Sequence, residues 1–244
     1  MTDALPVVFV PGMLCDDELW SDVTAELDVT AVHAAIDAPT IEGMAQQVLA
    51  ATTGRFVLAG LSLGAIVGFE VLRLQPDRVA GFCAISTNAG APTVAQYQAW
   101  HGMGNRAAHG EFHSTVEDFI APTMFAEAVP SDNRHDRFMA MAARVGPRRF
   151  RAQLSAQADR TSAVARLRSV RCPSLVISAG SDALCPPAFH QVIAESIPDS
   201  RLELLPDAGH LCTWEEPNRI AQLISEWLPA VTRTSRTPQE LTCP

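Results

Sequence analysis

The order of apolar and polar positions divides the chain into three parts. Short apolar runs alternate with helical patterns over the first 90 residues, and the same alternation returns near residue 174. Continuous apolar strands that are separated by helices are typical of a parallel sheet covered on both faces. The pattern predicts strands near residues 5–10, 29–34, 55–59, 79–85, 174–178 and 201–205, with helices at 41–51, 63–74, 187–196 and 217–227.

Between these two parts, residues 92–168 show helical periodicity but no convincing strand. An amphipathic helix is predicted over 132–145, and Pro147 is expected to begin another helix at its first turn. The predicted fold class is therefore α/β: a mainly parallel, twisted sheet flanked by helices, with a small helical cap insertion. We expect residues 1–91 and 169–231 to form the core, 92–168 the cap, and the polar residues 232–244 a flexible tail.

Composition and charge exclude several classes of protein. The chain has 244 residues, 48% of them hydrophobic, which suits one folded domain. The net charge is −9 and every basic residue is Arg, so neither a nucleic acid nor an anionic membrane surface is expected as a partner. The N-terminus lacks the basic and apolar regions of a signal peptide, which favours a cytoplasmic location.

The six cysteines are scattered without a C-x-x-C pair, and the histidines of the insertion show no metal-ligand spacing. The sequence therefore favours reduced, mostly buried thiols over a zinc site or a disulfide framework. We expect no metal and no organic cofactor. Oligomeric state is left open.

The strongest chemical signal is the pentapeptide Gly60-Leu61-Ser62-Leu63-Gly64, a G-x-S-x-G pattern. It lies between a predicted strand and a predicted helix, which is the context of a nucleophile elbow. Gly60 and Gly64 would permit a sharp turn, and Ser62 would be exposed at its apex above a helix N-terminus. The alternative is a plain strand-to-helix turn in which Ser62 caps the helix.

Three segments together resemble the α/β-hydrolase fold superfamily, in particular its small capped serine esterases and lactonases. These are the elbow at Ser62, the turn 178–187 with Asp182, and the segment 207–211 with His210. They occur in the family order of serine, acid and histidine. The resemblance implies that Asp182 orients His210, which takes a proton from Ser62. Helix capping is the alternative role for Asp182, and Asp207 is a competing acid near the histidine.

The resemblance also implies an oxyanion hole formed by backbone N–H groups, and by position these belong to Met13 and Leu63. The family keeps a His-Gly dipeptide after the first strand, whereas this chain has Pro11-Gly12, which puts the support of that loop in doubt. The substrate pocket is expected to include Leu14, Trp100, Phe125, Met139, Leu184 and Leu211.

The predicted function is hydrolysis of a small or medium carboxylic ester, including a thioester or lactone, through an acyl-enzyme on Ser62. Two alternatives stay open at this point. The same triad would serve acyl transfer to another acceptor or the perhydrolysis of cofactor-free haloperoxidases. A ligand-binding sensor that retains a slow triad is the other alternative, because a fold does not establish a function.

Overall fold

Six parallel strands form one sheet in the order β2-β1-β3-β4-β5-β6. The structure, a computed structural model, describes residues 5–127, 130 and 132–234. Each strand boundary lies within two residues of its predicted position, which confirms the α/β fold class. The strands are β1 Val7–Val10, β2 Ala31–His33, β3 Phe56–Leu61, β4 Val79–Ile85, β5 Ser174–Ala179 and β6 Ser200–Leu205.

Seven longer helices flank this sheet or lie between its strands in the chain. They are α1 Ile41–Ala50, α2 Leu63–Leu74, α3 Val94–Ala108, α4 Phe112–Phe119, α5 Arg134–Asp159, α6 Pro187–Ser196 and α7 Pro217–Thr234. Local signals begin several of them. Thr40 caps α1 by accepting a hydrogen bond from Gly43 N–H at 3.0 Å, and Pro187 opens α6. None of the helices in the described ranges is long and apolar enough to cross a membrane.

Both faces of the four central strands, β1, β3, β4 and β5, are covered by apolar side chains, as the continuous apolar runs predict. Alternate residues of β1 enter different cores: Val7 and Phe9 belong to one cluster with Trp227 of α7, whereas Val8 belongs to a second cluster with Phe69 of α2. A strand buried on both faces needs apolar residues at every position. The loops at the carboxyl ends of these strands are thereby fixed on a rigid support.

The stretch between β4 and β5, called here the helical segment 92–168, contains α3, α4 and α5 and no strand among its described residues. Helix α5 changes direction at Gly146, whose backbone angles of φ 73° and ψ 170° are essentially restricted to glycine. Pro147 follows directly, where the sequence predicts a new helix.

The predicted tail is corrected at its start. Helix α7 continues to Thr234, so residues 232–234 are helical and not part of a tail. The remaining tail residues, 235–244, lie outside the described residues.

Helix α2 approaches the first and third strands closely, and two glycines make this possible. A Cβ atom on Gly64 would lie 2.2 Å from the carbonyl oxygen of Val10, and one on Gly60 would lie 2.6 Å from the backbone nitrogen of Ala65. Both distances are far below van der Waals contact, and the atoms they meet belong to the backbone. Neither position therefore accepts a side chain without displacing the helix.

We expect Gly64→Ala to lower the free energy of unfolding by about 3 kcal/mol, because its methyl group overlaps a backbone carbonyl in a packed core. Gly102→Ala is the matched control, since nothing lies within 4 Å of a Cβ at this exposed position in α3. This control is expected to be neutral or more stable by up to about 1 kcal/mol. Urea unfolding of both variants measures the difference, and equal stabilities would contradict the packing described here.

Candidate active site

Ser62 occupies the turn between β3 and α2 in a strained backbone conformation. Its φ of 54° and ψ of −115° are rare for a residue with a side chain. Two hydrogen bonds hold the turn: Ser62 N–H donates to the Ile85 carbonyl at 2.9 Å, and Thr87 Oγ1 donates to the Ser62 carbonyl at 2.9 Å. Strain of this kind persists when the surroundings over-determine the conformation. The Ser62 side chain makes no cap hydrogen bond to α2, which disfavours the plain capping role.

Asp182 and His210 form a buried hydrogen-bonded pair. His210 Nδ1 lies 2.8 Å from Asp182 Oδ2, and the two side chains are 5% and 0% exposed. Asp182 follows β5 and His210 follows β6, and the loops are joined by a hydrogen bond from Ser181 N–H to the Ala208 carbonyl at 2.9 Å. Asp207 is exposed and is not the partner of the histidine.

The carboxylate of Asp182 accepts a hydrogen bond at each oxygen. Oδ1 accepts from the backbone N–H groups of Leu184 at 2.8 Å and Cys185 at 2.9 Å, while Oδ2 faces His210. Burial by itself would raise the pKa of Asp182, but the charge and hydrogen bond of His210 and the two backbone donors outweigh it and lower that pKa. Asp182 is therefore an anion at neutral pH, and the imidazole nitrogen facing it carries a proton.

A second acid fixes the backbone beside His210. Glu215 Oε2 accepts a hydrogen bond from Gly209 N–H at 2.6 Å, and its Oε1 accepts one from Ala126 N–H at 2.9 Å. Leu211 N–H donates to the Met124 carbonyl at 2.8 Å. The histidine loop is thus attached to the helical segment 92–168 on both sides of the imidazole.

Ser62 and His210 line the same cavity, which has a volume of about 260 Å³. Within the described part of the chain, Ser62 Oγ donates no hydrogen bond to the imidazole or to any other group. Hydrogen bonds of this type are often absent or long in structures without substrate. What the structure shows for these two side chains is a shared cavity wall, without a hydrogen bond between them.

The two backbone groups predicted to form an oxyanion hole, Met13 N–H and Leu63 N–H, are available. Met13 lines the cavity, and Leu63 is the first residue of α2, a position whose N–H group has no intrahelical acceptor. Neither N–H donates to an acceptor among residues 5–127, 130 and 132–234. Gln153 of α5 supports the loop after β1, because its Oε1 accepts from Leu14 N–H at 3.0 Å.

The cavity wall is mostly apolar, and three of the predicted pocket residues, Trp100, Leu184 and Leu211, belong to it. Further apolar side chains come from the helical segment: Met103, Phe119, Ile120 and Met124. The polar side chains that sequence reasoning missed include Asn88, Gln96, Thr123, Gln157, Arg160 and Cys185.

Three predicted pocket residues lie elsewhere and are corrected. Leu14 is fully buried in the hydrophobic core, with its backbone turned by a φ of 63°. Phe125 stacks on Trp214 at a ring distance of 6.4 Å, and Met139 packs against the core cluster. Each of these side chains packs within the fold and not at the cavity wall. The prediction was wrong because the local sequence pattern does not reveal which apolar face of a helix turns toward a cavity.

Comparison with known proteins gives the family. The model of the alpha/beta hydrolase family matches residues 7–223. The chain belongs to this family. The resemblance inferred from the elbow and the two loops is thereby confirmed.

Several relatives of this hydrolase carry esterase or lactonase names. A thermophilic esterase from Thermogutta terrifontis, solved with malate bound, is 27% identical with a TM-score of 0.86 over 93% of this chain and 90% of that chain. The pimeloyl-acyl-carrier-protein methyl ester esterase of Aromatoleum aromaticum is 29% identical over 201 residues, which are 77% of this chain and 80% of the relative. The enol-lactonase from Burkholderia xenovorans shares the fold, with 21% identity and a TM-score of 0.80 over 93% and 91% of the two chains.

The ligand atoms of Asp182, Cys185 and His210 lie within 4.8 Å of one another. Metal binding is therefore an alternative role for this cluster. Both carboxylate oxygens of Asp182 already accept hydrogen bonds. Burial, and then the charge of Asp182, raises the pKa of the Cys185 thiol well above its ordinary value, so that it stays protonated. In this hydrolase the donor set fits an oriented imidazole better than a metal ion.

Behind the elbow lies a buried histidine that the sequence did not reveal. His190 of α6 is fully buried, and its Nε2 accepts a hydrogen bond from Thr87 N–H at 2.8 Å. Burial lowers the pKa of His190 to about 4, although Asp182 and the Pro186 carbonyl act in the opposite direction. The neutral ring of His190 thus holds Thr87, whose hydroxyl in turn holds the carbonyl of Ser62.

The depressed pKa of His190 makes the folded hydrolase sensitive to mild acid. Between pH 6.5 and 4 the unfolded chain binds a proton at this ring and the folded chain does not, so the free energy of unfolding falls as pH decreases. The loss from this group is at most about 3 kcal/mol. The contribution of Asp182 is lost at lower pH, because its folded pKa lies below its ordinary value.

Urea unfolding at several pH values tests this, with His190→Gln as the comparison. The glutamine can accept the Thr87 N–H bond through its amide oxygen but does not titrate. We expect a smaller loss of stability from pH 6.5 to 4.5 in the variant than in the native chain. Parallel curves for the two proteins would show that His190 is not the group responsible.

Proposed function

We propose that the protein is a serine hydrolase of carboxylic esters in which Ser62 is the nucleophile, His210 the general base and Asp182 the acid that orients the base. The observation that carries the proposal is the 2.8 Å hydrogen bond between Asp182 and His210 beside the cavity that also exposes Ser62. A buried carboxylate fixes the imidazole tautomer, so that Nε2 is the nitrogen left to accept a proton.

In the first half of the reaction, Ser62 Oγ attacks the ester carbonyl carbon while His210 Nε2 takes the hydroxyl proton. The negative charge that forms on the carbonyl oxygen is stabilised by N–H donors from Met13 and Leu63 and by the N-terminus of α2. The carbon–oxygen bond to the alcohol then breaks, and the imidazolium returns its proton to the leaving oxygen. The result is an acyl-enzyme on Ser62 and a free alcohol.

In the second half, water takes the place of the alcohol. His210 removes a proton from the water, the resulting hydroxide attacks the acyl carbon, and Ser62 Oγ leaves with the proton held by His210. Asp182 remains an anion throughout and stabilises the imidazolium that forms in each half. Its lowered pKa suits this role, since the carboxylate must not accept the proton itself.

The substrate class follows from the cavity and from the relatives. Apolar side chains of the helical segment 92–168 cover a cavity of about 260 Å³, which suits a small or medium acyl group. We propose that this segment acts as a cap that selects the substrate. The esterase names of two relatives support an ester, and the same mechanism accepts a thioester or a lactone.

Replacement of Ser62 by Ala is expected to lower kcat/KM for short 4-nitrophenyl esters by about a thousandfold or more, because the three groups act as a unit. The control is Ser155→Ala, an exposed serine on α5, which should keep the native rate. A serine-reactive phosphonate should label the native chain at Ser62 alone, as peptide mass spectrometry would show. Activity of Ser62→Ala within tenfold of the native protein would refute the proposal.

A further inference from the structure

Arg160 places a positive charge in the wall of the candidate active cavity. It directly follows α5 and lines the same cavity as Ser62 and His210, yet it is only 8% exposed. It is the one side chain with a permanent charge among the described residues that line this cavity. Arginine is seldom buried to this degree unless a carboxylate or another anion pairs with it.

All the protein partners of this guanidinium within the described ranges are neutral. Nε donates to the Gly90 carbonyl at 3.1 Å, Nη1 donates to Gln157 Oε1, and the group lies over the Trp100 ring at 5.3 Å from its centre. No carboxylate of the described residues forms an ion pair with it, whereas eleven other arginines and histidines do form such pairs. Burial lowers the pKa of Arg160 to about 10. This value is still well above neutral pH, so the guanidinium stays charged there, at an energetic cost.

A second cavity of about 410 Å³ also has Arg160 in its wall, but three carboxylates, those of Glu42, Glu70 and Asp159, line it as well, whereas none lines the described wall beside Ser62. Arg73 lies 2.6 Å from Glu70, and Arg166 lies 3.6 Å from the other oxygen of the same carboxylate. An anion is therefore bound more favourably on the side of Arg160 that faces Ser62. Asn88 also lines that side, and its Oδ1 accepts from Gly90 N–H at 2.7 Å, which leaves its amide N–H groups for a ligand.

We propose that Arg160 is a specificity-determining residue that binds a carboxylate of the substrate, so that the preferred substrates are esters with an ionised carboxylate remote from the scissile bond. This inference rests on the proposed ester hydrolysis. A single guanidinium in a mainly apolar cavity matches one negative charge, whereas a doubly charged phosphate usually needs several cations or backbone donors. Half esters of dicarboxylic acids and esters of hydroxy acids are the two forms of this class.

Two matched pairs of substrates test the charge on either side of the ester. 4-Nitrophenyl hydrogen adipate and its terminal amide carry the difference on the acyl side, and 4-acetoxybenzoate and 4-acetoxybenzamide carry it on the alcohol side. With the uncatalysed rate subtracted, we expect the native protein to have at least about a tenfold higher kcat/KM for the anionic member of one pair, mainly through KM.

Three variants test whether Arg160 is the residue responsible for that preference. Arg160→Gln should remove it, Arg160→Lys should keep part of it, and the control Arg168→Gln, which removes the same charge at an exposed site, should leave it unchanged. An anionic-to-neutral ratio near one in both pairs, or a ratio that Arg160→Gln does not alter, would overturn the inference. If Arg160→Gln does not fold, inhibition by adipate is compared with inhibition by adipamide in the native chain and in Arg160→Lys. Equal inhibition by the two compounds would also overturn it.

The outcome for Ser62→Ala separates this inference from the proposed function. Hydrolysis that requires Ser62 but ignores the carboxylate overturns the role of Arg160 alone. Hydrolysis that continues after Ser62→Ala overturns the proposed function and the inference with it.

Discussion

The buried hydrogen bond between Asp182 and His210 is the interaction that fixes the orientation of the imidazole in the candidate site. A carboxylate without exposure is tolerated only when its oxygens find donors, and here the imidazole and two backbone N–H groups provide them. The neighbouring parallel strands β5 and β6 bring the two loops together at one edge of the sheet. Two residues 28 positions apart in the chain thus become a pair with one defined geometry.

The helical segment 92–168 contributes to the site at several points, although it lies outside the sheet. Met124 and Ala126 bind the loop of the histidine, directly and through Glu215, and Gln153 holds the loop that contains Met13. The segment therefore supports the loops of the proposed catalytic groups as well as covering the cavity. Changes in its packing are expected to reach the histidine and the oxyanion loop together, since both are connected to it by hydrogen bonds.

The parts of the site that could be predicted are those with a local signal. The elbow has glycines at fixed spacing around Ser62. The strand before Asp182 is buried along its whole length, and the strand before His210, at the edge of the sheet, still ends in two leucines. Gln153, Arg160 and His190 had no such signal, since their roles come from contacts with residues far away in the chain. The same reason explains the misplaced Leu14, Phe125 and Met139: an apolar side chain on a helix can face a core or a cavity, and only the assembled fold decides between them.

The bend at Gly146 has a consequence for how this cavity could diversify. The second half of α5 carries the side chains that reach the oxyanion loop and the cavity wall, and its direction is set by one backbone conformation that side chains rarely permit. Nothing lies within 4 Å of a Cβ at that position, so the positive φ, and not a lack of space, is what favours glycine there. A straighter or sharper bend there would tilt this wall of the cavity and move Gln153 with it, so that a change of selectivity made through this torsion would also reach the proposed oxyanion loop.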